Sequence, residues 1–149
     1  MTDDVLALEA TRKVAIAHPG PAIASVHRSE LRSLGPQAAR KLGTIVGRSD
    51  KLVLAIDPVD SSRPLRAVYF LDRTPSRGFT IAEAQPPDAR LLLSSTFISY
   101  LQTPEFLLGH LDACASIAEA TPLLQVKIPA GWDAHDVAVA IERNMESLA

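Results

Sequence analysis

"PLRAVYFLDRTPSRGFTIAEAQPPDARLLL" (Pro64–Leu93) decides the fold class. Its "LRAVYFL" segment (Leu65–Leu71) is a short apolar run carrying Val, Tyr and Phe, the residue types that fit a pleated sheet. "RTPSRG" then breaks it with a proline and a glycine, and "FTIAEA" (Phe79–Ala84) resumes as a second strand that pairs back through that turn. Beyond Pro86 the period lengthens. "PPDARLLLSSTFISYL" places Leu93, Phe97 and Tyr100 on one helical face, with Pro87 in a first turn. Strands that give way to helices predict an α/β or α+β fold: a mixed β-sheet from the N-terminal two thirds, with C-terminal helices packed on it.

Working outward, "VLALE" (Val5–Glu9) alternates as a strand does, and Val14–Ala17 gives another. "HPGP" (His18–Pro21) stops that ladder, because its prolines have no N–H to donate. "AIASV" is a further short strand, and Ser29–Leu34 and Pro36–Leu42 read as short helices. "KLVLAI" (Lys51–Ile56) and "LRAVYFL" are both too apolar for an exposed edge. The loop "DPVDSSRP" joins them. Downstream, Thr103 caps a helix with Pro104 at its first position, and Leu107, Leu111, Cys114 and Ala118 form its apolar stripe. "LLQVKI" is a last strand. Asp133 caps a final helix striped by Val137, Ile141, Met145 and Leu148.

The 149 residues fit one domain, 1–149, with a core of its own. A formal net charge of −2 gives no reason to expect nucleic acid or an anionic membrane as partner. One cysteine excludes an internal disulfide and an all-cysteine zinc site. Without a signal peptide or spanning run, a cytoplasmic location is the default.

Few residues suggest chemistry. Asp3 and Asp4 are adjacent carboxylates, the oxygen ligands that magnesium takes beside a phosphate; a solvated terminus is the plainer reading. Arg63 and Arg66 beside "DSS", and Arg73 with Arg77, are pairs able to bind an anion or to serve as surface charge. "GTIVGRS" (Gly43–Ser49) is not a phosphate-binding GxxxxGK[ST] loop: it has one residue too few between its glycines, an arginine for the lysine, and a strand after it. His110 and Cys114 share a helical face, the spacing of a nucleophile pair or of an ordinary core cysteine.

The order "TDDVLALE…KVAIAHPGPAI", "KLVLAI", "PLRAVYFLDR…FTIAEAQPPDARLLLSSTF" resembles the C-terminal half of HPr kinase-like proteins, in the phosphoenolpyruvate-carboxykinase-like class of P-loop phosphotransferases. The resemblance runs from Thr2 to about Asn144 and rests on element order more than on any one motif. It implies a partial P-loop kinase-like domain that works with magnesium and ATP. In that group an Asp-Asp pair closes a strand and holds the metal, so Asp3 and Asp4 take the metal and catalytic roles. Arg63 or Arg66 would face phosphate in the cofactor site. The chain departs from the family in lacking the P-loop and the glycine-containing signature by which true HPr kinases engage their protein substrate. Activity then requires an upstream segment or partner chain that supplies the loop. The alternative is a non-catalytic module that covers its exposed sheet edge by self-association, as a homodimer or larger closed assembly built on the N-terminal strand region.

Overall fold

The computed structural model describes residues 6–27, 45–46, 51–55, 57–75, 78–96 and 103–148. Nine strands and three helices lie within them: β1 (Leu8–Ala10), β2 (Ala15–Ala17), β3 (Ile23–His27), β4 (Ile45–Val46), β5 (Lys51–Ala55), β6 (Arg63–Pro64), β7 (Val68–Thr74), β8 (Thr80–Glu83), α1 (Ala89–Ser94), α2 (Pro104–Ala120), β9 (Leu123–Pro129) and α3 (Ala134–Ser147). The fold is α+β, with sheets ordered β1–β2–β6, β3–β5–β4 and β7–β9–β8. Two compact units divide the chain: Met1–Glu9 with Ile16–Arg63, and Ala10–Ala15 with Pro64–Ala149. The helices expected at 29–34 and 36–42 lie outside the described residues.

In the first unit β5 is central. It pairs antiparallel with β3 (Ile23 opposite Ala55, His27 opposite Lys51) and with β4. Leu52 and Leu54 are buried, as the apolar "KLVLAI" run requires of a middle strand. In the Ala10–Ala15 segment, which belongs to the second unit, the link from β1 to β2 is a tight turn in which Thr11 N–H donates to the Val14 carbonyl at 2.9 Å. The Thr11 hydroxyl oxygen also accepts from the backbone of Lys13 and Val14, which fixes the turn locally.

The second unit is organised by β9, which lies between β7 and β8, parallel to the first and antiparallel to the second. Leu124, Val126 and Ile128 are buried on one face; on the other, Gln125 and Lys127 are exposed at the middle of the strand while Leu123 and Pro129 are buried at its ends. Val126, Ile128 and Val137 of α3 form the core, packed by Tyr69, Phe79, Ile81, Trp132 and Ile141. The Tyr69 hydroxyl donates to Asn144 Oδ1 at 2.8 Å, tying β7 to α3. Between β9 and α3 the chain reverses at Pro129–Trp132. Trp132 N–H donates back to the Pro129 carbonyl, and Gly131 takes φ +95. That is a type II turn, whose third position favours glycine.

Two strand expectations change here. "LRAVYFL" is not central, because among the described residues β7 pairs with β9 on one side only, and its Leu71 is 58% exposed. Asp72 and Arg73 instead place charge on that edge. Nor does β8 pair with β7 through "RTPSRG", since β9 occupies the position between them. The helix from Pro86 is short: Asp88 caps α1, which ends at Ser94, and Leu92 rather than Leu93 is its buried leucine. Phe97 and Tyr100 lie outside the described residues.

Helix starts fall where local chemistry places them. Thr103 accepts from Phe106 N–H with Pro104 at the first position, and Asp133 accepts from Asp136 N–H. The stripe of α2 is only half covered. Cys114, Ile117 and Ala118 are buried, whereas Leu107 and Leu111 remain exposed. On α3, Val137 is buried and Met145 exposed, as is Leu148 at the helix C-cap. Ile128→Ala, at the centre of the core, is expected to cost about 2–5 kcal/mol in urea unfolding. Leu71→Ala on the β7 edge should stay within about 0.5 kcal/mol, and a loss as large as that for Ile128 would show that β7 is covered.

Candidate functional site

Three side chains distant in sequence meet in the first unit. Glu9 stands on β1, His18 directly follows β2, and Ser62 directly precedes β6. Because β2 is the middle strand of its sheet, residues at its end are flanked from both sides. Pro19 restricts the His18 backbone to extended geometry, which holds its ring at the strand end. His18 Nδ1 lies 3.0 Å from Ser62 Oγ, and His18 Nε2 lies 3.4 Å from Glu9 Oε2.

The donor inventory orders this row. A carboxylate only accepts, so Glu9 favours the tautomer with the proton on Nε2. Nδ1 is then an acceptor, and the Ser62 hydroxyl donates to it. The three side chains thus follow one another as hydroxyl, imidazole and carboxylate, with the two ring nitrogens in the opposite roles from those of the Ser-His-Asp template; Glu9 stands at ion-pair distance and not in hydrogen-bond geometry. The Glu9 contact is longer than a good hydrogen bond, and both groups meet solvent, with side-chain exposures of 39% for His18 and 73% for Glu9. Electrostatic coupling along the row is correspondingly modest.

Asp3 and Asp4 lie outside the described residues. Arg63 is exposed, follows Ser62 directly, and its guanidinium makes no hydrogen bond or ion pair with the described residues. Arg66 is exposed and belongs to the other unit. Arg73 is committed elsewhere: its guanidinium donates to the Trp132 carbonyl at 3.1 Å. Arg77 is outside the described residues. No group of three or more His, Cys, Asp or Glu among the described residues is placed to hold a metal ion, and no helix among them is long and apolar enough to cross a membrane.

The His110–Cys114 pair is not a reactive couple. Cys114 is buried, and burial pushes its thiol up from its ordinary value, which suppresses the thiolate. His110 stacks on Phe106, with ring centroids 6.0 Å apart, and its buried Nε2 has no hydrogen-bond partner among the described residues. Two depressions mark the second unit. One lies along α3 between Trp132, His135 and Arg143, walled by a single helix face and one indole, too open to enclose a ligand. The other runs from Glu83 to Arg90 with Gln125. There Arg90 grips both carboxylate oxygens of Asp88 at 2.8 Å, which holds the Asp88 carboxyl below its usual range.

No spacing in the sequence announces the Glu9–His18–Ser62 row. His18 reads as the residue before a ladder-breaking proline and Ser62 as part of a loop. Scans against protein-family models and searches of curated proteins and solved structures give no match. Native Cys114 should react with a disulfide reagent such as DTNB at least about tenfold more slowly than in the urea-unfolded chain, because attack requires an exposed thiolate. Equal rates would show that the thiol is open and return it to the list of nucleophiles.

Proposed function

We propose that these 149 residues form the acid-bearing, C-terminal portion of an HPr kinase-like P-loop phosphotransferase. Asp3 and Asp4 supply carboxylates to magnesium, and Arg63 or Arg66 faces the phosphates of ATP. Magnesium keeps several waters and needs only one or two carboxylates, so an adjacent pair suits it chemically. The observation that supports this reading most is the chain order of elements. Behind the acid pair come β1, β2 and the proline turn, then β3 to β8, then helices with β9 between the last two. A proline turn soon after the acid pair and a later strand leading into C-terminal helices are the features that support the reading. The guanidinium of Arg63, without an ionic partner among the described residues, is available to an anion.

The residues that grip phosphate come from outside this stretch, since no GxxxxGK[ST] occurs in it. Calorimetry of the 149-residue chain with Mg-ATP should therefore give no binding tighter than about 1 mM, equivalent to about 4 kcal/mol of contacts. Adding a polypeptide that carries the P-loop, fused or in trans, should bring binding into the micromolar range, and Asp3→Asn with Asp4→Asn should remove the magnesium dependence. Micromolar Mg-ATP affinity in the chain alone, or no gain from any supplied P-loop, would sink the reading.

One observation favours a second reading, a self-associating module without catalysis. Leu71 on the β7 edge and Leu108 on α2 are 58% and 68% exposed, and exposed leucines on an edge strand and a helix are surfaces that a second copy covers. Light scattering at micromolar concentration should then report a dimer or larger closed assembly, and Leu108→Glu or Leu71→Lys should shift it to monomer. A monomeric parent chain would exclude this reading.

A further inference from the structure

We propose that Ser62 is a nucleophile that accepts acyl groups from small activated esters, with His18 as its base and Glu9 as the positioning carboxylate. The inference goes beyond phosphotransfer and uses neither ATP nor magnesium. It stands on two contacts that share one imidazole: Ser62 Oγ at 3.0 Å from Nδ1 and Glu9 Oε2 at 3.4 Å from Nε2. A surface histidine that touches one neighbour is common. Here the acceptor-only carboxylate sets the tautomer that leaves the other nitrogen free to take the hydroxyl proton. Catalytic contacts of this kind are often long or poorly aligned before substrate arrives, and the Glu9 contact, at ion-pair distance, has both length and angle to close.

The step balances without a further reactant. Ser62 Oγ bonds to the ester carbonyl carbon as its proton passes to His18 Nδ1. The C–O bond to the leaving group breaks, and His18 returns that proton to the departing alcohol. Water then attacks acyl-Ser62 by the same route, with His18 taking its proton and returning it to Ser62 as the carboxylic acid leaves. Arg63, one residue on and without an ionic partner among the described residues, is the cation nearest in the chain to the oxygen that becomes negative. The exposure of Glu9 and His18 suits small, unhindered esters.

The 149-residue chain is incubated with a fluorophosphonate probe, which forms an Oγ–P bond to a nucleophilic serine as fluoride leaves, and the adduct is mapped by peptide mass spectrometry. An adduct on Ser62 is expected, formed at least about tenfold more slowly in His18→Ala and absent in Ser62→Ala, with Ser61→Ala reacting as the parent does. With p-nitrophenyl acetate, Glu9→Gln should lower kcat several-fold at unchanged KM, the signature of a group that orients the base and does not bind the ester. All three residues are solvent-facing, so the variants keep the parent's circular dichroism and melting temperature. No adduct at Ser62, or the same labelling rate in His18→Ala, overturns the proposal. Ester hydrolysis that persists in Ser62→Ala does so too, because it assigns the reaction to imidazole alone.

Discussion

The second unit depends on the placement of one strand. β9 lies between β7 and β8, so that sheet has no ladder without it. The same seven residues supply Leu124, Val126 and Ile128 to the core, and the type II turn at Pro129–Trp132 carries the chain directly into α3. Backbone pairing, apolar burial and helix position thus share a single segment. Removing its side chains would leave two edge strands and a helix with nothing to cover.

Local chemistry made much of this legible. Thr103 before Pro104 and Asp133 before a helical stripe mark helix starts because capping needs only the neighbouring N–H groups. "LLQVKI" shows its inward and outward faces through Gln125 and Lys127. Other features had no local signature. Three consecutive leucines, Leu91–Leu93, carry no phase, and tertiary packing chose Leu92. The turn "RTPSRG" reads as a hairpin because nothing between Leu71 and Phe79 reveals that a strand from forty or more residues later will enter the gap. Apolar Leu107 and Leu111 promise burial that the described residues do not provide.

The Glu9–His18–Ser62 row was illegible for the same topological reason. Its hydrogen bond spans 44 positions in the chain, and only the strand order β1–β2–β6 brings the partners together. Residue type alone marked another place. A cysteine near a histidine looks reactive on paper, yet Cys114 is buried and its thiol pushed up, while Ser62 lies beside an imidazole. Reactivity in such a chain follows solvent access and proton acceptors more closely than it follows motif.

The late position of β9 also shapes how the protein comes into being. During synthesis β7 and β8 leave the ribosome well before the strand that joins them, and their N–H and C=O groups in that sheet wait for residues 123–129. Pairing β7 with β9 then closes a loop of some fifty residues, a contact of high order that slows folding and lengthens the life of open edges. The charges of Asp72 and Arg73 therefore guard β7 twice, once as a finished edge and once as a nascent strand still lacking its neighbour.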